Sequence, residues 1–254
     1  MWNGDYRFLL AELIQKDFRI RYRNMSLGVF WSLLNPLVMM SVLTFVFTKI
    51  FPNTSIPNFA LFVLCGMVPY NFFSVAWVTG TTSMVDNVNL IKRVPVPREI
   101  VPLAAVLSNC LHLLIQIGLL LTMTMFFGHP PNIYWFWLPV VWALEVAFVC
   151  GLSLITAAIN VHIRDTRYVV ESANTILFWL VPIFYSFSVI PQQYHQVYSL
   201  NPVAAIILIS RTILLEGQAP LPMTLIKFAA SSFAMLGVGF LVFRRAKQQF
   251  YDYV

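Results

Sequence analysis

The sequence predicts an all-α polytopic membrane protein: six transmembrane helices, an N-terminal interfacial amphipathic helix, and a re-entrant outer helical pair between spans five and six. Three observations carry that expectation. The 254 residues are 59% hydrophobic and 10% charged, well outside the mix of a soluble domain. Six apolar runs reach the roughly 20 residues that a helix needs to cross a ~30 Å hydrocarbon layer, and they are continuous rather than alternating as in a barrel. Thirteen of the 16 Lys and Arg fall on one side of those runs, which by the positive-inside rule puts both termini in the cytoplasm. The net charge of +6 therefore signals topology and contact with anionic lipid, and gives no reason to invoke nucleic acid.

The whole chain, 1–254, reads as a single transmembrane domain. In residues 1–28, Tyr6, Leu9, Leu10, Leu13 and Ile14 recur at helical spacing and are followed by Arg19, Arg21 and Arg23, the pattern of a helix lying on the inner leaflet. No cleavable leader is evident, so the first span serves as an uncleaved insertion signal. The spans are expected at 29–51, 59–82, 101–127, 134–160, 168–188 and 222–243. Asn35 and Pro36 in the first, and Pro69, Tyr70 and Asn71 in the second, predict local kinks or openings. Asn109, His112 and Gln116 share one side of the third span and read as interhelical hydrogen bonding. Glu145, deep in the fourth, fits that role and a polar pathway equally well.

Between the second and third spans, residues 83–102 form a polar, proline-punctuated interruption, SMVDNVNLIKRVPVPREIVP. Ser83 and Asp86 have capping-box spacing, and Val85, Val88 and Ile91 follow at helical spacing, which predicts a short helix with one apolar face and with Lys92 and Arg93 at its end. Pro95 and Pro97 then push Val94 and Val96 extended. Such a capped helix between two spans is a handle for a soluble partner. A second polar loop, 160–166, presents Arg164 and Asp165 beside Arg167. After the fifth span, Pro191 and Pro202 bracket a polar stretch, and 203–215 is an apolar helix too short to cross, with Arg211 inside it. A seventh span there would place Arg244, Arg245 and Lys247 outside, so the stretch 189–217 is expected to be re-entrant or interfacial.

Chemistry of its own is absent from the chain. It has no G-x-x-x-x-G-K-[ST] to cradle nucleotide phosphates and no H-E-x-x-H or G-x-S-x-G; its four histidines are scattered and its three cysteines sit far apart within spans. A membrane glycosyltransferase would need carboxylates at catalytic spacing, and a secondary transporter would show inverted repeats with paired midplane charges. Aromatic rings away from span ends, among them Trp31 near the first kink and Trp179, Phe184 and Tyr185 around Pro182, are mostly lipid-facing bulk. A subset has the flat faces that stack on sugars.

The order of these features resembles the membrane subunit of type-2 ABC exporters, and among them the O-antigen and related polysaccharide permeases. The pieces that carry the resemblance are RIRYRNMSLGVFWSLLNP, NLIKRVPVPREIVPL, IRDTRYVVE and SVIPQQYHQVYSLNPVAAII, spread over nearly the whole chain. The resemblance implies a bacterial inner-membrane protein working as a homodimer with two copies of a separate ABC ATPase, so that ATP and Mg stay on the partner and this chain binds no cofactor or metal. It implies that the coupling segment 83–100 holds an ATPase-coupling helix carrying Val85, Val88, Ile91, Lys92 and Arg93, with Arg164, Asp165 and Arg167 as a second cytoplasmic contact. It makes 189–217 the outer gate helices, with Tyr194 and Arg211. The cargo it implies is a glycan on undecaprenyl diphosphate, threaded past Trp31, Trp179, Phe184 and Tyr185. O-antigen, capsule and teichoic acid remain alternatives for the glycan, and a drug or small-lipid exporter of the same class, or a secondary transporter, for the function.

Overall fold

A computed structural model describes residues 6–22, 28, 30–50, 56–93 and 97–247. Arg23, Val94, Pro95 and Val96 lie outside them, as do the side chains of Arg21 and Arg93. The described residues are helical, without a strand: α1 (Tyr6–Tyr22), α2 (Phe30–Phe45) with a π turn (Val46–Ile50), α3 (Phe59–Asp86), α4 (Val88–Arg93), α5 (Ile100–Phe126), α6 (Leu138–His162) after a 3₁₀ turn (Ile133–Trp137), α7 (Thr166–Leu180), α8 (His195–Leu200), α9 (Pro202–Leu214) and α10 (Pro222–Ala246). Among the described residues, five segments are long and apolar enough to cross a membrane: Phe30–Ile50, Phe59–Asp86, Ile100–Phe126, Ile133–His162 and Pro222–Ala246.

The bundle is built around α3. Its 28 residues extend ~42 Å at 1.5 Å per residue, and it is apolar and buried on nearly every side, as a helix enclosed by others must be. Helices α2, α5, α6, α7 and α9 pack around it. Along α6 and α10, two glycines let the backbones touch: a Cβ on Gly239 would lie 2.3 Å from the carbonyl oxygen of Gly151, and one on Gly151 would lie 2.4 Å from that of Met235. In lipid, where apolar surface alone does not drive helices together, such close approach is what holds a pair.

Two helix boundaries differ from those the sequence predicts. The span expected at 168–188 is helical only to Leu180. Val181 precedes Pro182, whose ring disfavours the α region for its neighbour, and Val181 is extended at φ −80°, ψ 140°. At 15 residues, ~22 Å, α7 alone falls short of a hydrocarbon layer. The second difference lies at 83–86, where no new helix starts. The Ser83 hydroxyl donates to Gly80 O of its own helix, α3 runs on to Asp86, and the break comes at Asn87, whose side chain donates to Ser83 O at 2.9 Å. Val85 therefore belongs to α3, while Val88 and Ile91 belong to α4.

Helix α9 has only 13 residues, but its sides are apolar almost all round and it is buried between α3, α6 and α10. Asn201 caps it by accepting from Val203 N at 3.0 Å, and Pro202 occupies its first turn, where the missing N–H has no intrahelical partner to lose.

Candidate functional site

The charged residues gather at one end of the bundle, here called the basic end, where α1, α4, the α6–α7 loop and the end of α10 meet. Helix α1 lies along the start of α5: Leu13 is buried against Ile100 and Ala104, with Leu9, Leu10, Ile14 and Leu90 around them. Lys16 Nζ donates to Asn87 Oδ1 at 2.6 Å and so ties α1 to the joint between α3 and α4. The other end of the same segment is held by α10. Lys247 Nζ reaches Glu99 Oε1 at 3.3 Å, and Arg98 Nη1 donates to Lys247 O at 3.1 Å. These contacts are exposed or half-buried and individually weak, so their effect is to fix where α4 sits rather than to add much stability.

On α4 itself, Ile91 turns inward against the cluster of Met84, Val101, Leu154 and Phe243. The face left outward carries Asn89 and Lys92. Arg164, Asp165 and Arg167 are exposed nearby, and Arg167 binds Glu171 one turn along α7 at 2.8 Å. Ile91→Asp is therefore expected to unseat α4 while sparing the long helices. Placing a charge in that apolar contact costs about 2 kcal/mol or more, roughly a thirty-fold shift. Membrane insertion should be normal and recovery of any soluble partner in a pull-down should collapse; recovery at the level of the unsubstituted chain would refute the assignment.

A groove opens on the opposite flank of α3. Its floor is Tyr70, Ser74 and Val78; Met39 of α2 forms one wall and Glu171, Asn174, Thr175 and Phe178 of α7 the other, around about 360 Å³. The Tyr70 hydroxyl donates to Asn174 O, and Asn174 Nδ2 reaches Ser74 O at 3.5 Å, which pins α7 to the floor. Arg167, Glu171, Thr175 and Trp179 recur every four residues, so one stripe of α7 runs from ionic at the basic end to aromatic at the far end. This stripe was readable from spacing alone. Its ionic part is short, confined to Arg167 and Glu171, and the rest of the stripe reads as part of a span.

At the far end of the groove, the break after Leu180 folds the chain back. Rings that a continuous helix would spread over separate faces come together there: Trp179 and Phe184 stand 5.3 Å apart edge to face, Phe184 and Tyr185 5.3 Å, Phe178 and Phe184 6.0 Å, and Phe47 of the π turn stacks on Phe184 at 5.4 Å. Trp179 is 60% exposed, whereas Phe184 is buried and Tyr185 half-buried. Trp31 is exposed near the start of α2, and among the described residues no ring contact joins it to this cluster.

The break needs polar partners, and Arg211 supplies them. Although only 4% exposed, its guanidinium donates to Pro182 O and Ile183 O at 2.6 Å each and to Phe62 O at 3.2 and 3.3 Å, and it lies 3.4 Å from the centre of the Phe62 ring. Gly66 makes the room, since a Cβ there would come within 3.1 Å of Arg211 Nη2 and 3.2 Å of Ile183 Cα. Tyr194, the other residue expected at the outer gate, is half exposed in the short turn before α8.

Inside the bundle, Asn109 Nδ2 donates to Thr79 Oγ1 at 2.9 Å and Gln116 Nε2 to Ser32 O at 3.2 Å, so these two join helices as expected, while the 3.0 Å contact of Gln116 with His112 Nε2 lies within α5. Glu145 is 2% exposed, and its carboxyl oxygens have no hydrogen-bond partner among the described residues.

The family model described as "ABC-2 type transporter" matches residues 9–215. An O-antigen export system permease protein RfbA of Klebsiella pneumoniae is 29% identical over 251 residues, 98% of this chain and 96% of the relative. RfbA of Myxococcus xanthus is 30% identical over 96% of this chain and 95% of its own. The polysialic acid transport protein KpsM of Escherichia coli is 23% identical over 93% and 92%.

Proposed function

The chain belongs to the ABC-2 type transporter family, and from that footing we propose how it works as the transmembrane subunit of a polysaccharide ABC exporter. The ATPase is a separate chain that docks at the basic end, on α4 and the α6–α7 loop. Two copies of the permease face each other across their grooves. The glycan, carried on an undecaprenyl diphosphate lipid, moves between them in the bacterial inner membrane. Both termini and the basic end face the cytoplasm, as the clustering of Lys and Arg supports. The sixth crossing is α7 continued by the irregular stretch 181–190, and α8 and α9 form a re-entrant gate on the outer side. Helix α1, with Leu13 turned inward and Arg7 and Arg19 outward, lies along the inner leaflet.

The observation that carries this reading is the groove with its aromatic far end. A polymer moving in steps must be held weakly at many points, because a tight site would stall it. Ring faces against sugar C–H groups give about 0.5–1.5 kcal/mol each without a fixed hydrogen-bond pattern. Nucleotide-driven movement of α4 reaches the groove through α3, which is one helix from Asp86 to Phe59 and forms the groove floor.

The test is Trp179→Ala and Tyr185→Ala in a host that exports polymer. Expression and basal ATP hydrolysis should stay within about twofold, while surface glycan falls roughly tenfold, the equivalent of ~1.4 kcal/mol, and lipid-linked glycan accumulates inside. Tyr185→Phe, which keeps the ring, should export more than Tyr185→Ala. Normal export by both alanine variants would remove the groove from the path.

A further inference from the structure

A second cavity, also of about 360 Å³, lies on the other side of α3, between α1 and the basic ends of α3 and α5. Its lining is part polar and part apolar, with one cation, Lys16, against two carboxylates, Asp17 and Asp86, and four hydroxyls. Thr79 donates its hydroxyl proton to Val75 O at 2.9 Å, Ser83 to Gly80 O at 2.7 Å and Ser108 to Ala105 O at 2.9 Å. A hydroxyl has one proton to give, so all three offer the cavity only lone pairs, one of Thr79's being taken by Asn109. The Asn87 amide is partly engaged, one N–H on Ser83 O and one oxygen lone pair on Lys16 Nζ. Asp86 adds a carboxylate that makes no ion pair among the described residues; Arg167, whose charge it feels, is bound to Glu171.

An acceptor-rich polar cavity of this size takes a ligand rich in N–H donors and positively charged. A metal ion is a poor match, since no group of three His, Cys, Asp or Glu side chains converges among the described residues. We propose that the cavity holds the primary ammonium of an ethanolamine phospholipid from the inner leaflet, with the phosphate at the mouth beside Lys16. The leaflet assignment rests on the orientation given under Proposed function; the ammonium chemistry rests on the hydrogen-bond inventory alone.

The experiment uses the full chain with its ATPase in nanodiscs of equal parts phosphatidylethanolamine and phosphatidylcholine, and counts retained lipids by native mass spectrometry after mild delipidation. Choline carries the same charge without an N–H. The ethanolamine lipid should be retained about fivefold over the choline lipid, the worth of roughly one hydrogen bond. Asp86→Asn and Ser108→Val should each bring that ratio close to one, whereas Glu216→Gln, an exposed carboxylate on the far end, should leave it unchanged. Equal retention of the two lipids by the unsubstituted protein, or full selectivity in Asp86→Asn, overturns the proposal. Free ethanolamine binding as tightly as the lipid would assign the cavity to soluble amines and overturn the lipid source. Retention is scored without transport, so a failed export assay and a failed lipid assay are separate results.

Discussion

Arg211→Met is expected to abolish the folded protein in mild detergent, with loss of the monodisperse peak in size-exclusion chromatography. The substitution keeps the length and apolar body of the side chain and removes the donors from the carbonyl oxygens of Pro182, Ile183 and Phe62. No water reaches them easily in a buried site, and each stranded acceptor costs about 1–3 kcal/mol, so the three together exceed ~3 kcal/mol. Some of that is offset because a buried cation no longer has to be desolvated. Arg211→Lys retains the charge but not the planar fork that reaches three carbonyls at once, and should be intermediate. A melting curve for Arg211→Met that overlays the parent would show that the break after Leu180 stands without its bracket.

Gly239→Val should be nearly as damaging, for a different reason. Its first side-chain carbon would lie 2.3 Å from Gly151 O, where contact requires about 3.5 Å, so α10 must back away from α6 by roughly 1 Å along the closest seam in the bundle. Overpacking of this kind costs about 1–3 kcal/mol, and the displaced atoms are backbone, which cannot rotate aside. Gly237 lies two residues earlier on the same helix, with nothing within 4 Å of its missing Cβ. Gly237→Val is the control and should express and melt like the parent. Equal tolerance at 237 and 239 would mean that the seam does not determine how α10 docks.

What the sequence made legible follows from what each feature depends on. Apolar runs of spanning length are a property of composition, so the five long helices stand where hydropathy puts them, α3 at Phe59–Asp86 against an expected 59–82. The proline after Val181 is plain in the sequence too. That the helix would stop there depends on a carbonyl acceptor finding Arg211, 29 residues on, and no local pattern reveals that pairing. The short helix after α3 was misplaced by several residues, because the S-x-x-D spacing looks the same whether Ser83 caps a new helix or bonds back within an old one. For Ile91, periodicity marked an apolar side without saying whether that side faces a partner or the bundle; it faces the bundle. Gly151 and Gly239 carry no periodic signal at all, since two glycines 88 positions apart become a seam only once α6 and α10 lie together.

The bracket at Arg211 also bears on how the chain is made. A ribosome adds about 5–20 residues per second, so Pro182 and Ile183 are synthesised roughly 1.5–6 s before the guanidinium that satisfies them. If α7 is the sixth crossing, as proposed, its end has no stable resting place in lipid during that interval, because its freed carbonyls have neither water nor donor. On the topology proposed above, the segment from Thr166 to Leu214 is then expected to enter the bilayer as one unit.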